Sequence, residues 1–289
     1  MQTAVSPEPR LAPPPIRVPR AHGWSAGHLL AAVVVVLMVA TSLGGLLAAG
    51  FYTDGTWARS AFRGNDLATL AVAAPLLGTA LAYSVRGSLR GRLVTLGMLG
   101  YGVYNYAFYV FGAAWNDWFL LHVAALVASL YGLLLLAAGL DRERLARAVT
   151  PGVPRRAVAA FTAFTGLVLA GLWTWLSLRY AVTGELDTGT TPADAMHLVF
   201  ALDLTLMAPA LVAAAVLLWR DTAAGFAAAV AANVLGGAYQ VALASGAQFQ
   251  ADAGIAGKGW FSLPGLFVTI GSVAAAAVLL RHVRSGSRT

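Results

Sequence analysis

Residues 28–50 read HLLAAVVVVLMVATSLGGLLAAG, an apolar run of 23 residues that contains no Asp, Glu, Lys or Arg. A helix needs about 20 apolar residues to cross the roughly 30 Å hydrocarbon core of a bilayer. The run is also longer than the apolar core of a signal peptide, which has roughly 7–15 residues. It therefore predicts a membrane-spanning helix.

Seven further segments pass the same length test. Because lipid offers the backbone no hydrogen-bond partners, each is expected to be helical. The predicted spans are 28–50, 67–85, 93–115, 118–140, 157–180, 195–219, 222–245 and 263–280. We therefore predict an all-α polytopic membrane protein, with one domain of about eight transmembrane helices over residues 28–280.

The composition agrees with this fold class. Hydrophobic residues make up 59% of the 289 residues and charged residues 11%, whereas soluble domains have about 25% charged residues. A soluble enzyme, a DNA-binding module and a disordered chain are therefore excluded. The net charge of +7 lies in short loops, so the predicted partner is the lipid bilayer and not nucleic acid.

The placement of basic residues predicts the orientation. With the N-terminus in the cytoplasm, fifteen arginines fall on the cytoplasmic side and only Arg59, Arg63, Arg179 and Lys258 on the outer side. Since cytoplasmic loops carry an excess of Arg and Lys, both termini are predicted to be cytoplasmic. Residues 1–27 are then a flexible, Pro- and Arg-rich cytoplasmic tail, and 281–289 a basic cytoplasmic tail.

Asp203 is the only carboxylate inside a predicted span, and Asp66 falls in the outer loop 51–66. Placing an Asp at the centre of a spanning helix costs about 2.5–3.5 kcal/mol, so such residues point to a functional site. Asp203 is therefore the leading candidate to bind a proton, a cation or a cationic group. The alternative is a structural hydrogen bond to a neighbouring helix.

His122 and His197 lie at the outer ends of two spans. Facing histidines on two helices are what a bis-imidazole haem or a metal site needs. An interfacial histidine that hydrogen-bonds near the headgroups is the alternative. No cofactor is predicted, and haem is kept only as a hypothesis.

Polar and small residues form a stripe on each of two spans. Tyr101, Asn105, Tyr109, Gly112 and Asn116 share one face of the third span, and Asn233, Gly236, Gly237 and Gln240 share one face of the seventh. Such stripes either stabilise helix–helix contacts, through close packing and hydrogen bonds, or line a polar path. Asn105, His122, His197, Asp203 and Gln240 all fall in the outer half, which favours a polar cavity open to the outside.

Other signals are absent from the sequence. It contains no phosphate-binding loop and no protease or hydrolase motif, and it has no cysteine. The two halves have loops of different length and no motif that we match, so no internal repeat is predicted.

The segments YGVYNY at 101–106 and FGAAWN at 111–116 resemble a family of bacterial polytopic inner-membrane proteins that has no assigned activity. The resemblance covers about two helices. It implies a multi-pass protein of the bacterial inner membrane and supplies no site residues.

Three functions follow from these patterns. The first is binding or transport of a small molecule or ion through an outward-facing polar cavity centred on Asp203, with Asn105, Gln240, His122 and His197 as hydrogen-bonding partners. The second is a non-catalytic accessory or scaffold subunit whose polar stripes contact a partner membrane subunit. The third is a haem- or metal-binding redox protein that uses His122 and His197. An enzyme is not favoured.

Overall fold

The computed structural model describes residues 23–48, 50–186, 189–259 and 262–284. Within these ranges the chain forms nine helices and no strand beyond one isolated bridge. The helices are α1 (Ala26–Leu47), α2 (Thr56–Val85), α3 (Leu89–Gly112), α4 (Phe119–Ala138), α5 (Arg142–Ala148), α6 (Arg155–Thr183), α7 (Ala193–Trp219), α8 (Ala223–Asp252) and α9 (Leu263–Arg281). Residues 1–22 and 285–289 of the two predicted tails lie outside the described residues.

Seven of the described helices are long and apolar enough to cross a membrane: α1, α2, α4, α6, α7, α8 and α9. The prediction of an all-α, multi-pass membrane protein is confirmed at this level. The 24-residue α3 is not among the seven, and 15 of its residues are buried. It packs against α2, α4 and α8, and this central position explains why it carries polar side chains that a lipid-facing helix would expose.

The predicted spans correspond to the eight long helices, but two boundaries move. The span predicted at 67–85 begins at Thr56 and the one predicted at 222–245 ends at Asp252. The segment 56–66 is therefore helix and not an outer loop. Hydropathy alone places the start late, because Arg59, Arg63, Asn65 and Asp66 make this first part of α2 polar.

The chain also folds as two similar groups of four long helices. In the first, α1 and α3 both pack on α2, and α4 packs on α3; in the second, α6 and α8 both pack on α7, and α9 packs on α8. Between the groups, α8 contacts α2 and α3 contacts α7, which are equivalent contacts if α2 corresponds to α7 and α3 to α8. The two groups thus share this order of contacts, but α1 packs extensively on α4 whereas α6 makes only a small contact with α9.

The second helix of each group widens into a single π turn, at Thr69–Ala73 in α2 and at Asp203–Met207 in α7. An Ala-Pro pair follows each π turn, with the prolines at positions 75 and 209. Proline has no N–H to donate, and its ring displaces the carbonyl of the residue four positions earlier. That carbonyl lies inside the π turn in both helices, so the prolines account for the widening.

A similar turn joins the second and third helices of each group. The Ser88 hydroxyl accepts a hydrogen bond from Gly91 N at the start of α3, and the Thr222 hydroxyl accepts one from Gly225 N at the start of α8. Such caps satisfy backbone donors that have no partner in the first helical turn. A Cβ on Gly225 would overlap the backbone of Leu217, so only glycine permits this close return of the chain.

One end of the bundle gathers the arginine-rich loops, and we call it the arginine-rich end. There Arg90 Nε donates to Val283 O at 2.8 Å, Arg144 donates to Gly87 O at 3.0 Å, and Thr150 N donates to His282 O at 2.8 Å. These hydrogen bonds join the loops and α5 to one another at this end of the bundle. The polar sites described next lie toward the opposite end.

Candidate functional site

A half-open cavity of about 360 Å³ lies at the end opposite the arginine-rich end, between α2, α3, α8 and the segment before α9. Its polar wall includes the predicted Asn105 and Gln240. Five further polar residues line it: Asn65, Tyr239, Gln250, Lys258 and Ser262. The structure thus brings two of the five predicted site residues to one surface.

The polar groups of this wall are held by helix-to-helix contacts. Asn65 Nδ2 donates to Asn105 Oδ1 at 2.7 Å, and Gln250 Nε2 donates to Trp57 O at 3.1 Å. The Lys258 ammonium lies 5.7 Å from the centre of the Trp57 ring, in cation–π contact. No described side chain hydrogen-bonds to Gln240, so its carboxamide is free to bind a ligand.

Lys258 is the single lysine of the chain and the only charged residue among those that line this cavity. Partial burial lowers the pKa of its ammonium below the ordinary value for lysine. None of the described carboxylates lies on the wall to compensate the charge. The cavity therefore presents a positive charge together with carboxamides that both donate and accept hydrogen bonds.

Asp203 lies behind this wall and not on it, with 3% of its surface exposed. Tyr104 Oη donates to its Oδ1 at 2.6 Å, and Trp173 Nε1 donates to its Oδ2 at 2.7 Å. Tyr239 Oη, at the cavity wall, donates to Tyr104 Oη at 3.3 Å. The carboxylate is thus connected to the cavity through two tyrosine hydroxyls.

The two predicted histidines take different positions. His122 is 1% exposed, and its ring stacks on that of Tyr109 with 4.9 Å between centroids. Its Nε2 is enclosed without a hydrogen-bond partner. The His197 side chain is exposed on α7, and no ring contact or hydrogen bond joins the two imidazoles.

Asp66 is a second buried carboxylate, and the expectation that Asp203 is the only one within a span is wrong. Asp66 is 3% exposed on α2. Tyr52 Oη donates to its Oδ2 at 2.7 Å, and Tyr109 Oη donates to its Oδ1 at 2.9 Å. Burial and then the Asp66 charge raise the pKa of Tyr52, so this hydroxyl keeps its proton and acts as a donor.

A signal for Asp66 was present in the sequence. Asp-Leu followed by Thr-Leu and then Ala-Pro occurs twice, at 66–75 as DLATLAVAAP and at 203–209 as DLTLMAP. The first copy has three more residues between Asp and Pro.

A second half-open cavity, of about 320 Å³, adjoins Asp66. Its wall includes Gly45, Tyr52, Arg59 and Arg63. A Cβ on Gly45 would overlap Asp66 Oδ2, so the glycine lets α1 approach the carboxylate closely. Tyr52 separates this cavity from Asp66, just as Tyr239 and Tyr104 separate the first cavity from Asp203.

The polar stripes of α3 and α8 are largely occupied by contacts within the chain. Asn233 Nδ2 donates to Thr162 Oγ1 at 2.9 Å, and a Cβ on Gly236 would meet Ser272 Oγ at 3.2 Å. Gly112 faces Leu198. These residues pack helices of the same chain together, as one of the two interpretations of the stripes predicts.

No protein-family model matches this chain, and comparisons with curated proteins and with solved structures likewise found no match.

Proposed function

We propose that this chain is a bacterial inner-membrane protein with eight spanning helices and both termini in the cytoplasm, and that it binds and moves a small polar molecule. The observation that carries this proposal is the half-open cavity lined by Asn65, Asn105, Gln240, Gln250 and Lys258. It combines hydrogen-bonding groups with an apolar surround, as small-molecule sites do.

The count of eight includes α3 as a span. Its 24 residues are long enough to cross the bilayer at 1.5 Å per residue. Its neighbours α2, α4 and α8 shield it from lipid, so its lower hydropathy is compatible with spanning. The arginine-rich end is then cytoplasmic, and the cavity opens to the outside.

The charge of the cavity points to the class of ligand. Lys258 supplies the only charge on the described wall, and the carboxamides supply donors and acceptors. Since Asp203 is separated from the cavity by Tyr239 and Tyr104, it does not contact the ligand directly. We infer a ligand that is anionic, or neutral with several hydrogen-bonding groups, in place of the cation that a carboxylate at the wall would select.

The cysteine-free sequence makes single-cysteine labelling the first test of the orientation and the opening. Ala247 lines the cavity, Ala146 is exposed on α5 at the arginine-rich end, and Ala125 is fully buried. With a membrane-impermeant maleimide on intact cells we expect Ala247→Cys to react, Ala146→Cys to react only after permeabilisation, and Ala125→Cys to remain unlabelled. Labelling of Ala146→Cys in intact cells would overturn the orientation, and an unreactive Ala247→Cys would overturn the open cavity.

The ligand itself is tested by native mass spectrometry of protein gently extracted from its own membrane. We expect a small bound mass that Asn105→Leu and Gln240→Leu each remove. Gln248→Leu is the matched control, since Gln248 lies on the same helix as Gln240 but bonds to Asp252 outside the cavity. A stoichiometric protein partner and no small mass would instead support the accessory-subunit function.

A further inference from the structure

The two buried carboxylates, one in each half of the bundle, share several features. Each lies on the second helix of its group, near a π turn, and each accepts hydrogen bonds on both carboxylate oxygens. One donor in each case is a tyrosine of α3: Tyr109 for Asp66 and Tyr104 for Asp203. Asp66 lies nine residues before Pro75 and Asp203 six residues before Pro209, so the two sites differ by about one helical turn.

We propose that Asp66 and Asp203 are two proton-binding sites, each of which exchanges its proton with the end of the bundle opposite the arginine-rich end through one or two tyrosine hydroxyls that lead to a cavity. This inference goes beyond ligand binding in the larger cavity. Proton binding is measured without any ligand, so either proposal can fail while the other stands.

The path to Asp203 is a chain of two hydroxyl groups with the hydrogen bonds in one direction. Tyr239 donates to Tyr104, and Tyr104 donates to Asp203 Oδ1. A proton from cavity water binds to Tyr239 Oη while the Tyr239 hydrogen moves to Tyr104 Oη and the Tyr104 hydrogen moves to Oδ1. Each hydroxyl ends with one hydrogen, as it began, and the carboxylate becomes a neutral carboxylic acid. Reversal of these steps returns the proton to water.

The path to Asp66 needs only one hydroxyl group. Tyr52 lines the second cavity and donates to Asp66 Oδ2 at 2.7 Å. A proton from cavity water binds to Tyr52 Oη while the Tyr52 hydrogen moves to Oδ2, which leaves the tyrosine unchanged and the carboxyl group neutral. The other oxygen, Oδ1, remains bonded to Tyr109 in the same way that Asp203 Oδ2 remains bonded to Trp173.

The donors around each carboxylate disfavour a metal cation, and burial favours the neutral, protonated carboxyl group. Metal ions such as Ca²⁺ take six to eight oxygen ligands, whereas the groups that face Asp66 and Asp203 direct O–H and N–H hydrogens at the carboxylates. Among the described residues no three His, Cys, Asp or Glu side chains group together as metal ligands. Burial of an ionised carboxylate without a counter-ion costs free energy, and binding a proton removes the charge that causes this cost.

Few other titratable groups surround the two sites. Arg63 acts on Asp66 from the same helix, α2, and His122 of α4 stacks on Tyr109, which bonds to Asp66. Tyr101 and Tyr106 of α3 lie nearby. Tyr104 and Tyr239 are the titratable groups that face Asp203. No ion pair joins a described basic side chain to either carboxylate.

Infrared spectroscopy of the full chain reconstituted in lipid tests the proposal, because a protonated carboxyl group in an apolar site gives a distinct C=O stretching band. We expect two such components in the ligand-free protein, one lost in Asp66→Asn and the other in Asp203→Asn. Both should shift on transfer to D₂O, which reports proton exchange. Absence of both bands at every pH at which the protein stays folded would overturn the proposal.

Tyrosine variants keep the test decisive if an Asp variant does not fold. Tyr239→Phe should slow the D₂O shift of the Asp203 component at least tenfold and leave that of Asp66 unchanged, and Tyr52→Phe should do the reverse. Tyr106→Phe is the matched control, since this buried tyrosine of α3 bonds to Thr41 and to neither carboxylate. Equal exchange rates in all three variants would show that the hydroxyls do not carry the proton.

Discussion

Tyr104 and Tyr109 lie five residues apart on α3, and their hydroxyls donate to carboxylates in different halves of the bundle: Tyr104 to Asp203 at 2.6 Å and Tyr109 to Asp66 at 2.9 Å. α3 therefore connects α2 with α7 through two buried polar contacts. The two side chains leave α3 about 140° apart, and both are buried, with Tyr104 3% exposed and Tyr109 2% exposed. This relationship makes α3 the helix on which the stability of both polar sites depends.

Tyr104→Phe should destabilise the protein. The variant leaves one oxygen of a buried carboxylate without its donor, which costs about 1–3 kcal/mol. The thermal unfolding midpoint in detergent, followed by circular dichroism, measures the loss. Tyr131→Phe is the control, because Tyr131 is 55% exposed; equal midpoints for the two variants would contradict the prediction.

Gly64→Ala should destabilise the contact between the two halves. A Cβ on Gly64 of α2 would overlap the backbone of Gly246 on α8, and overpacking of this kind costs about 1–3 kcal/mol. Gly78→Ala is the matched change on the same helix, where the nearest atom to a new Cβ is a side-chain carbon of Val35 at 3.9 Å. Unfolding by a denaturing detergent should separate the two variants, and a Gly78→Ala protein as unstable as Gly64→Ala would refute the argument.

Arg90→Ala should loosen the arginine-rich end. Arg90 donates to Val283 O and Arg281 O, and so joins the start of α3 to the end of α9. Because this site is partly exposed to solvent, we expect the free energy of unfolding to fall by about 1 kcal/mol. Faster amide hydrogen exchange at the end of α9 is the measurement. Arg86→Ala is the control, since Arg86 bonds only weakly to Ala82 O within its own helix. If Arg86→Ala increased exchange at the end of α9 as much as Arg90→Ala does, the proposed role of the Arg90 hydrogen bonds would be contradicted.

Lys258 should lose its proton at a lower pH than an exposed lysine. Burial lowers its pKa, so the neutral, nucleophilic amine appears earlier as the pH rises, and the positive charge that would hold an anionic ligand is lost over the same interval. Since Lys258 is the single lysine, the rate of acylation at this position, followed by peptide mass spectrometry against pH, reports it directly.

The control for Lys258 is the same peptide released by proteolysis, in which the lysine is fully solvated. Its acylation should reach half of the maximal rate at a higher pH than in the folded protein. Coincident profiles would show that the cavity does not bury the ammonium, and the proposed preference for an anion would then lack its pH dependence.

The candidate site was predictable only in part. Asn105 and Gln240 line one cavity, whereas His197 is exposed and His122 lies against aromatic rings. Depth along a helix can be read from sequence, but the direction in which a side chain points depends on the neighbouring helices. The hydropathy pattern places Asp66 in a loop, because the polar first part of α2 lowers the hydropathy average. The Asp66 side chain is nevertheless buried.

The sequence alone determines that this chain is a bundle of apolar helices. Hydrocarbon leaves a backbone no hydrogen-bond partner but its own, so runs such as residues 28–50 must be helical whatever they pack against. Only the tertiary structure decides that Asp66 and Asp203 are each bonded to a tyrosine of α3. Hydrogen bonds between helices depend on the rotation and depth at which the helices meet. These are set by close contacts such as Gly64 against Gly246, which no single helix specifies by itself.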